Sequence, residues 1–118
     1  PALGAALGVP HLLVKDDGGA ARDYGGNKVR KLEYLLGDAL ARGCDTVVTF
    51  GAAGSNHALA TAVHARARGL ACHAVLTAQP PSPRVAATLR WHALVGTVLH
   101  PAVGLAGSRA VAAAIRAA

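Results

Sequence analysis

The chain of 118 residues is 53% hydrophobic but only 3% aromatic, and nine Arg and three Lys against six acids give it a formal net charge of +6. That length allows one domain at most, and the apolar share excludes a disordered tail. A core of mostly Ala, Val and Leu buries little area per side chain, so marginal stability is expected unless a partner or further sequence covers more surface.

His11 to Lys15 reads as a short strand, followed by a polar loop through Asp16, Asp17, Gly18 and Gly19. After Gly25 and Gly26, the residues Val29, Leu32, Leu35, Leu36, Ala39 and Leu40 recur at helical spacing, with Asn27 as the expected N-cap and Gly43 as the stop. Asp45 to Phe50 reads as a strand, Gly51 to Gly54 as a tight loop, and Ser55 to Arg68 as a second helix with Leu59, Ala62, Val63 and Arg66 at helical spacing and Gly69 as its stop. Ala71 to Thr77 is the next strand. Ser82 followed by Pro83 suits an N-cap and a first helical residue, and that third helix runs to about Leu94. Thr97 to His100 gives another short strand, and a last helix starts near Ser108. Strands alternating with helices of this length indicate an α/β fold, an open parallel sheet of βαβ units.

The cations are scattered through several predicted helices without an aromatic platform, which reads as a solvated basic surface and not as a nucleic-acid interface. Part of that charge also suits a cofactor phosphate or an amino-acid carboxylate. Cys44 and Cys72 are too few and too far apart for a disulfide framework or a closed metal site, and no metal is expected. No apolar run approaches the roughly 18 residues that span a bilayer, and no signal peptide is evident, so no membrane partner and a cytoplasmic location are expected. The chain opens on Pro1 and stops in an Ala-rich helical pattern at Ala118, which suggests one truncated domain over residues 1–118. Exposed edges of such a sheet would favour association, and a homo-oligomer is among the expectations.

Two segments can carry chemistry. Lys28, Arg30 and Lys31 crowd the first turn of the first long helix, where the helix dipole repels cations and attracts anions. A Schiff-base lysine needs such surroundings, because only the free amine attacks a carbonyl; exposed cations on an amphipathic helix are the plainer reading of the same pattern. The second segment, Gly51-Ala52-Ala53-Gly54-Ser55-Asn56-His57, joins the carboxyl end of a strand to a helix N-terminus, where open α/β sheets bind ligands and free N–H groups can hold a carboxylate or phosphate. Ser55 or Asn56 could equally cap the helix. The turn matches neither the dinucleotide fingerprint nor the nucleophile elbow. His57 and His64, seven apart on one helix, lack the company of metal ligands, and His73, His92 and His100 belong to no recognisable constellation.

Gly25-Gly26-Asn27-Lys28-Val29-Arg30-Lys31-Leu32-Glu33-Tyr34 together with Ser55-Asn56-His57 resembles the family of 1-aminocyclopropane-1-carboxylate deaminase and D-cysteine desulfhydrase, within the fold type II, tryptophan-synthase-β-like pyridoxal-phosphate enzymes. The likeness runs from about Leu13 to His100; the G-G-N-K-x-R-K-L-E segment is specific, S-N-H supportive and Lys15-Asp16-Asp17 weak. It implies pyridoxal 5'-phosphate as cofactor, Lys28 as the lysine that forms the Schiff base, and Asn56 against the cofactor ring. It further implies Ser55 near the substrate carboxylate and as a nucleophile candidate, with Asn56 and His57 also on the substrate side. His57 stands where the family's activities differ. The implied activity is that of a lyase or deaminase acting on a small amino acid.

The chain departs from that pattern. It lacks the later glycine-rich phosphate loop, the acidic partner of the pyridine nitrogen and the tyrosine of substrate handling, and Gln79 to Pro83 is unlike the best-known deaminases. Two other readings compete: a truncated fragment that folds without retaining cofactor, and a nucleotide-binding α/β module using the Gly51–Asn56 turn.

Overall fold

The computed structural model describes residues 2–117. Its sheet consists of β1 (Thr46–Ala52), β2 (Ala71–Thr77) and β3 (Val98–Ala102), paired in parallel in that order, with Thr46 opposite Ala71 and His73 opposite Val98. Parallel neighbours require a crossover, and helices supply both. The helices, in chain order, are α1 (Ala2–Ala6), α2 (Val29–Ala41), α3 (Asn56–Arg66), α4 (Pro83–Val95) and α5 (Gly104–Ala117). The α/β class and the open parallel sheet are therefore as the sequence indicates.

The three layers follow from strand alternation. Ala74 and Leu76 of β2 face Ala58 of α3 and Leu89 of α4. Phe50 and Thr77 point the other way and share a cleft with Leu105 and Ser108 of α5. Helix α2 adds Leu32 and Leu36 to Ala60, Ala62, Ala65, Leu70 and Cys72 in the main core cluster, each leucine contributing roughly 2 kcal/mol of burial. Helix α3 is buried well beyond the positions that its helical spacing picks out. Ala58, Leu59, Ala60, Thr61, Ala62, His64 and Ala65 are all buried, so it is enclosed on nearly every side.

Helix ends explain most boundaries. Gly69 adopts φ +75 after α3, a left-handed turn that an L side chain resists. Ser82 accepts a hydrogen bond from the Val85 N–H at 3.2 Å with Pro83 in the first turn, as expected of that dipeptide. Helix α5 starts at Gly104, four residues before the expected start, because the Ser108 hydroxyl donates to the Gly104 carbonyl (2.8 Å) from within the helix and does not cap it.

Two further expectations fail. His11 to Lys15 is not a strand: no sheet neighbour lies beside it, and Leu13 and Val14 are 92% and 78% exposed. Asn27 is not the N-cap of α2. Lys28 occupies that position without any side-chain cap, because the Val29 N–H is already taken by the Gly26 carbonyl at 3.2 Å in a tight turn. No helix of the described residues is long and apolar enough to cross a membrane.

Two buried groups make the core testable. Cys72 is buried and its thiol is pushed up to about 11 by desolvation, whereas Cys44 is exposed. A thiol reagent at neutral pH is expected to modify Cys44 quickly and Cys72 only on unfolding; two equally fast thiols would contradict the packing of β2 on α2 and α3.

His92 has no exposed surface, its Nδ1 meets Thr97 Oγ1 at 3.1 Å, and its Nε2 has no partner in the structure. Burial lowers its pKa below the ordinary value near 6.5. The unfolded state then binds more protons as pH falls below that value, so stability should drop on acidification, by at most about 1.4 kcal/mol per pH unit for one proton. Urea unfolding at pH 7.5 and 5.5 is expected to show a larger acid-induced loss for wild type than for His92→Leu.

Candidate active site

The carboxyl end of β1 runs into a turn whose shape is fixed by side chains. Gly51 has no room for a Cβ, which would strike the Ser55 side chain. Ser55 is the N-cap of α3, its Oγ accepting from the Ala58 N–H at 3.2 Å. The Ala53 N–H donates to the Thr77 carbonyl (3.0 Å), the Gly54 N–H to Gln79 Oε1 (2.9 Å), and the Ser55 N–H to the Ala52 carbonyl (2.9 Å). The free donors expected along this turn are thus largely engaged. What remains is the first turn of α3, at Asn56 and His57, where helix geometry leaves N–H groups without backbone acceptors.

The second half of the site is the segment before α2. Asp16 Oδ1 accepts from the Gly18 N–H at 2.7 Å and opens a short 3-10 turn over Asp17–Gly19. Asp17 ties this segment together twice. Its carboxylate pairs with Arg30 at 2.7 Å and with Lys15 at 4.0 Å, and its carbonyl accepts from the Gly26 N–H at 2.6 Å. Gly25 is pressed so closely on the Gly18 carbonyl that no Cβ fits there. Lys15-Asp16-Asp17 is weak as family likeness, and the signal for its role is a doubled aspartate upstream of a basic helix start.

The two halves meet in a cleft of about 500 Å³, lined by Gly18, Tyr24, Gly25, Gly26, Asn27, Lys28 and Asn56. That volume is within the usual range for small-molecule sites. Lys28 is exposed and forms no ion pair among the described residues, and no carboxylate lines the cleft. His57 is half-buried beside these groups. Its Nδ1 is enclosed without a partner, and its pKa is lowered by burial first, then by the nearby charges of Lys31 and Lys28. Of the four residues singled out from sequence, the fold brings Lys28 and Asn56 into one cleft and sets His57 against the same cations. Ser55 lies outside the residues lining the cleft, its hydroxyl engaged as a cap.

An uncommitted amine and two side-chain amides on glycine-lined backbone suit a polar ligand that bears a carbonyl group. This is the crevice of an open α/β domain, placed outside the strand ends where such domains bind ligands. A family model for the pyridoxal-phosphate dependent enzymes matches residues 1–118, and the chain belongs to that family.

Among curated proteins the chain is 53% identical over 76 residues to a Pyrococcus abyssi protein that carries the name of a 1-aminocyclopropane-1-carboxylate deaminase, 64% of this chain and 23% of that one. It is 44% identical over 90 residues to the nocardicin C-9' epimerase of Nocardia uniformis, 76% and 28% of the two chains. It is 49% identical over 65 residues to the D-cysteine desulfhydrase of Serratia proteamaculans, 55% and 20%. A crystal structure of an ACC deaminase homologue superposes with a TM-score of 0.70 at 34% identity, over 86% of this chain and 30% of that one. The chain spans between about a fifth and three tenths of the length of these relatives.

The closeness of Gly25 to Gly18 generates a prediction. Gly25→Ala should destabilise the chain by about 1–3 kcal/mol through overpacking against backbone, whereas Gly19→Ala, with nothing near its Cβ, should be close to neutral. Chemical denaturation of both variants compares them directly; equal stability would show that Gly25 is not confined.

Proposed function

We propose that this chain provides the lysine side of the active site in a pyridoxal-phosphate-dependent lyase or deaminase acting on a small amino acid, like D-cysteine desulfhydrase or 1-aminocyclopropane-1-carboxylate deaminase. The observation that carries this reading is the shared cleft. Lys28, at the start of α2, and Asn56, at the start of α3, line it together although 28 positions separate them.

When bound, pyridoxal phosphate supplies an electron sink conjugated to the substrate's α carbon. Lys28 Nζ is the group that would hold it covalently, and the same amine is placed to move a proton at the α or β carbon of the substrate. The Asn56 amide would lie against the ring. Ser55, Asn56 and His57 form the substrate side, where the N–H groups of the first turn of α3 favour a carboxylate. Burial and the charges of Lys31 and Lys28 lower the His57 pKa and favour its neutral form, since a charged ring would add a third cation beside them.

Relatives named for deamination, desulfhydration and epimerisation are each similar to more than half of this chain, which supports the pyridoxal-phosphate reading without choosing among their reactions. The chain is read as a single unit of such an enzyme, working in the cytoplasm, and the apolar side chains exposed at Phe50, Leu94 and Leu105 suit burial by further protein, whether the rest of the enzyme or a second copy in a homo-oligomer.

Borohydride trapping with pyridoxal phosphate, followed by peptide mapping, tests the assignment. The expected result is a pyridoxyl label concentrated on Lys28 and lost in Lys28→Ala. A label spread over Lys15, Lys28 and Lys31, or no label at all, would overturn it.

A further inference from the structure

The two halves of the cleft belong to separate elements, and one side chain connects them at a distance from the chemistry. Residues 20–27 form neither helix nor strand. Most of the hydrogen bonds recorded for them are local, reaching Asp17 or the next turn. The exception is His64, whose Nε2 lies 2.9 Å from the Tyr24 carbonyl across 40 positions of sequence. A carbonyl only accepts, so Nε2 must carry the hydrogen, and this bond selects that tautomer. His64 is 6% exposed and sits on α3, the enclosed helix whose N-terminus presents Asn56 and His57. It lies eight residues beyond Asn56, or roughly 12 Å along the helix axis at 1.5 Å per residue.

We infer that His64 is a positioning residue for the Lys28 cleft: its hydrogen bond to Tyr24 holds the Gly25–Lys28 segment at a fixed distance from the first turn of α3. The surrounding contacts support this division of labour. Asp17 and Arg30 make the segment stiff within itself, but they belong to the same side of the cleft and cannot set its distance from Asn56. The Tyr24 side chain packs on the Leu32–Leu36 cluster and gives a nondirectional attachment. The bond from His64 adds the direction. It also stands beside a second, polar recess of about 290 Å³ lined by Ala21, Asp23, Glu33 and Arg68. Water can therefore reach the back of this segment, and loss of the bond would leave the segment free to shift.

The inference rests on the functional reading only for its consequence at Lys28, so the test has two arms. The first is amide hydrogen exchange on the chain without cofactor, comparing wild type with His64→Leu, which fills the space without a donor, and His64→Gln, whose amide can replace Nε2–H. Loss of one net hydrogen bond corresponds to roughly tenfold faster opening. The expected result is exchange at Gly26 and Val29 accelerated about tenfold in His64→Leu, within about twofold of wild type in His64→Gln, and unchanged in β2. No acceleration at Gly26 and Val29, or equal acceleration throughout β2 and α3, would overturn the positioning role. The second arm repeats pyridoxal phosphate trapping. The Lys28 share of the label should fall several-fold in His64→Leu and recover in His64→Gln. A wild-type chain without Lys28 selectivity but with the expected exchange pattern would sink the cofactor reading and leave His64 as the tie between the two segments. Wild-type selectivity retained undiminished in His64→Leu would overturn the positioning role at Lys28.

Discussion

Everything in this structure depends on how closely α3 can approach the sheet. Ala58, Ala60, Ala62 and Ala65 are each at most 1% exposed, and side chains this small let the helix backbone lie near β1 and β2 while α2 and α4 close over its other sides. A helix packed this way has little freedom to slide or tilt, because interiors at crystal-like density resist displacement. Its N-terminus is thereby fixed just beyond the end of β1. Asn56 and His57 inherit their places from contacts made one to two turns further along, by residues with no chemistry of their own.

The segment that carries Lys28 is held by a different kind of force. It contributes little to the core and has no ladder of backbone bonds, so polar contacts and close backbone approach do the holding: Asp17 with Arg30 and Gly26, Gly25 against Gly18, and Tyr24 with His64. Exposed ion pairs are individually weak. Here a backbone hydrogen bond, an ion pair and a steric stop converge on the same few residues. The site thus joins a rigid wall to a lighter, polar one.

This division also explains what could be read from the sequence. β2 was legible to the residue, and the Ser82–Pro83 start of α4 was clear, because local signals there agree with the tertiary outcome. The pattern before Lys28 was legible only through family likeness. The helical spacing of Leu59, Ala62, Val63 and Arg66 marks α3 as a helix, but not as one buried on nearly all sides, because alanine carries too little contrast to reveal that. Asn27 has the chemistry of an N-cap, but the turn at Gly26 supplies the local bond first. His11 to Lys15 has strand composition and lacks a neighbour to pair with. The engagement of the Gly51–Ser55 turn was illegible because its partner, Gln79, lies on another loop, and long-range pairing leaves no trace in local spacing. His64 was hidden for the same reason, being an ordinary histidine until Tyr24 is placed beside it.

The contact between Gly54 and Gln79 has a consequence for how a ligand would arrive. It laces the turn after β1 to the turn after β2, so two neighbouring loops beyond the carboxyl ends of the strands are already ordered by folding. A molecule entering there does not have to freeze them, and that part of the usual entropic cost of association is absent. Binding against these loops should then be governed by encounter and orientation, with little waiting for the protein to rearrange.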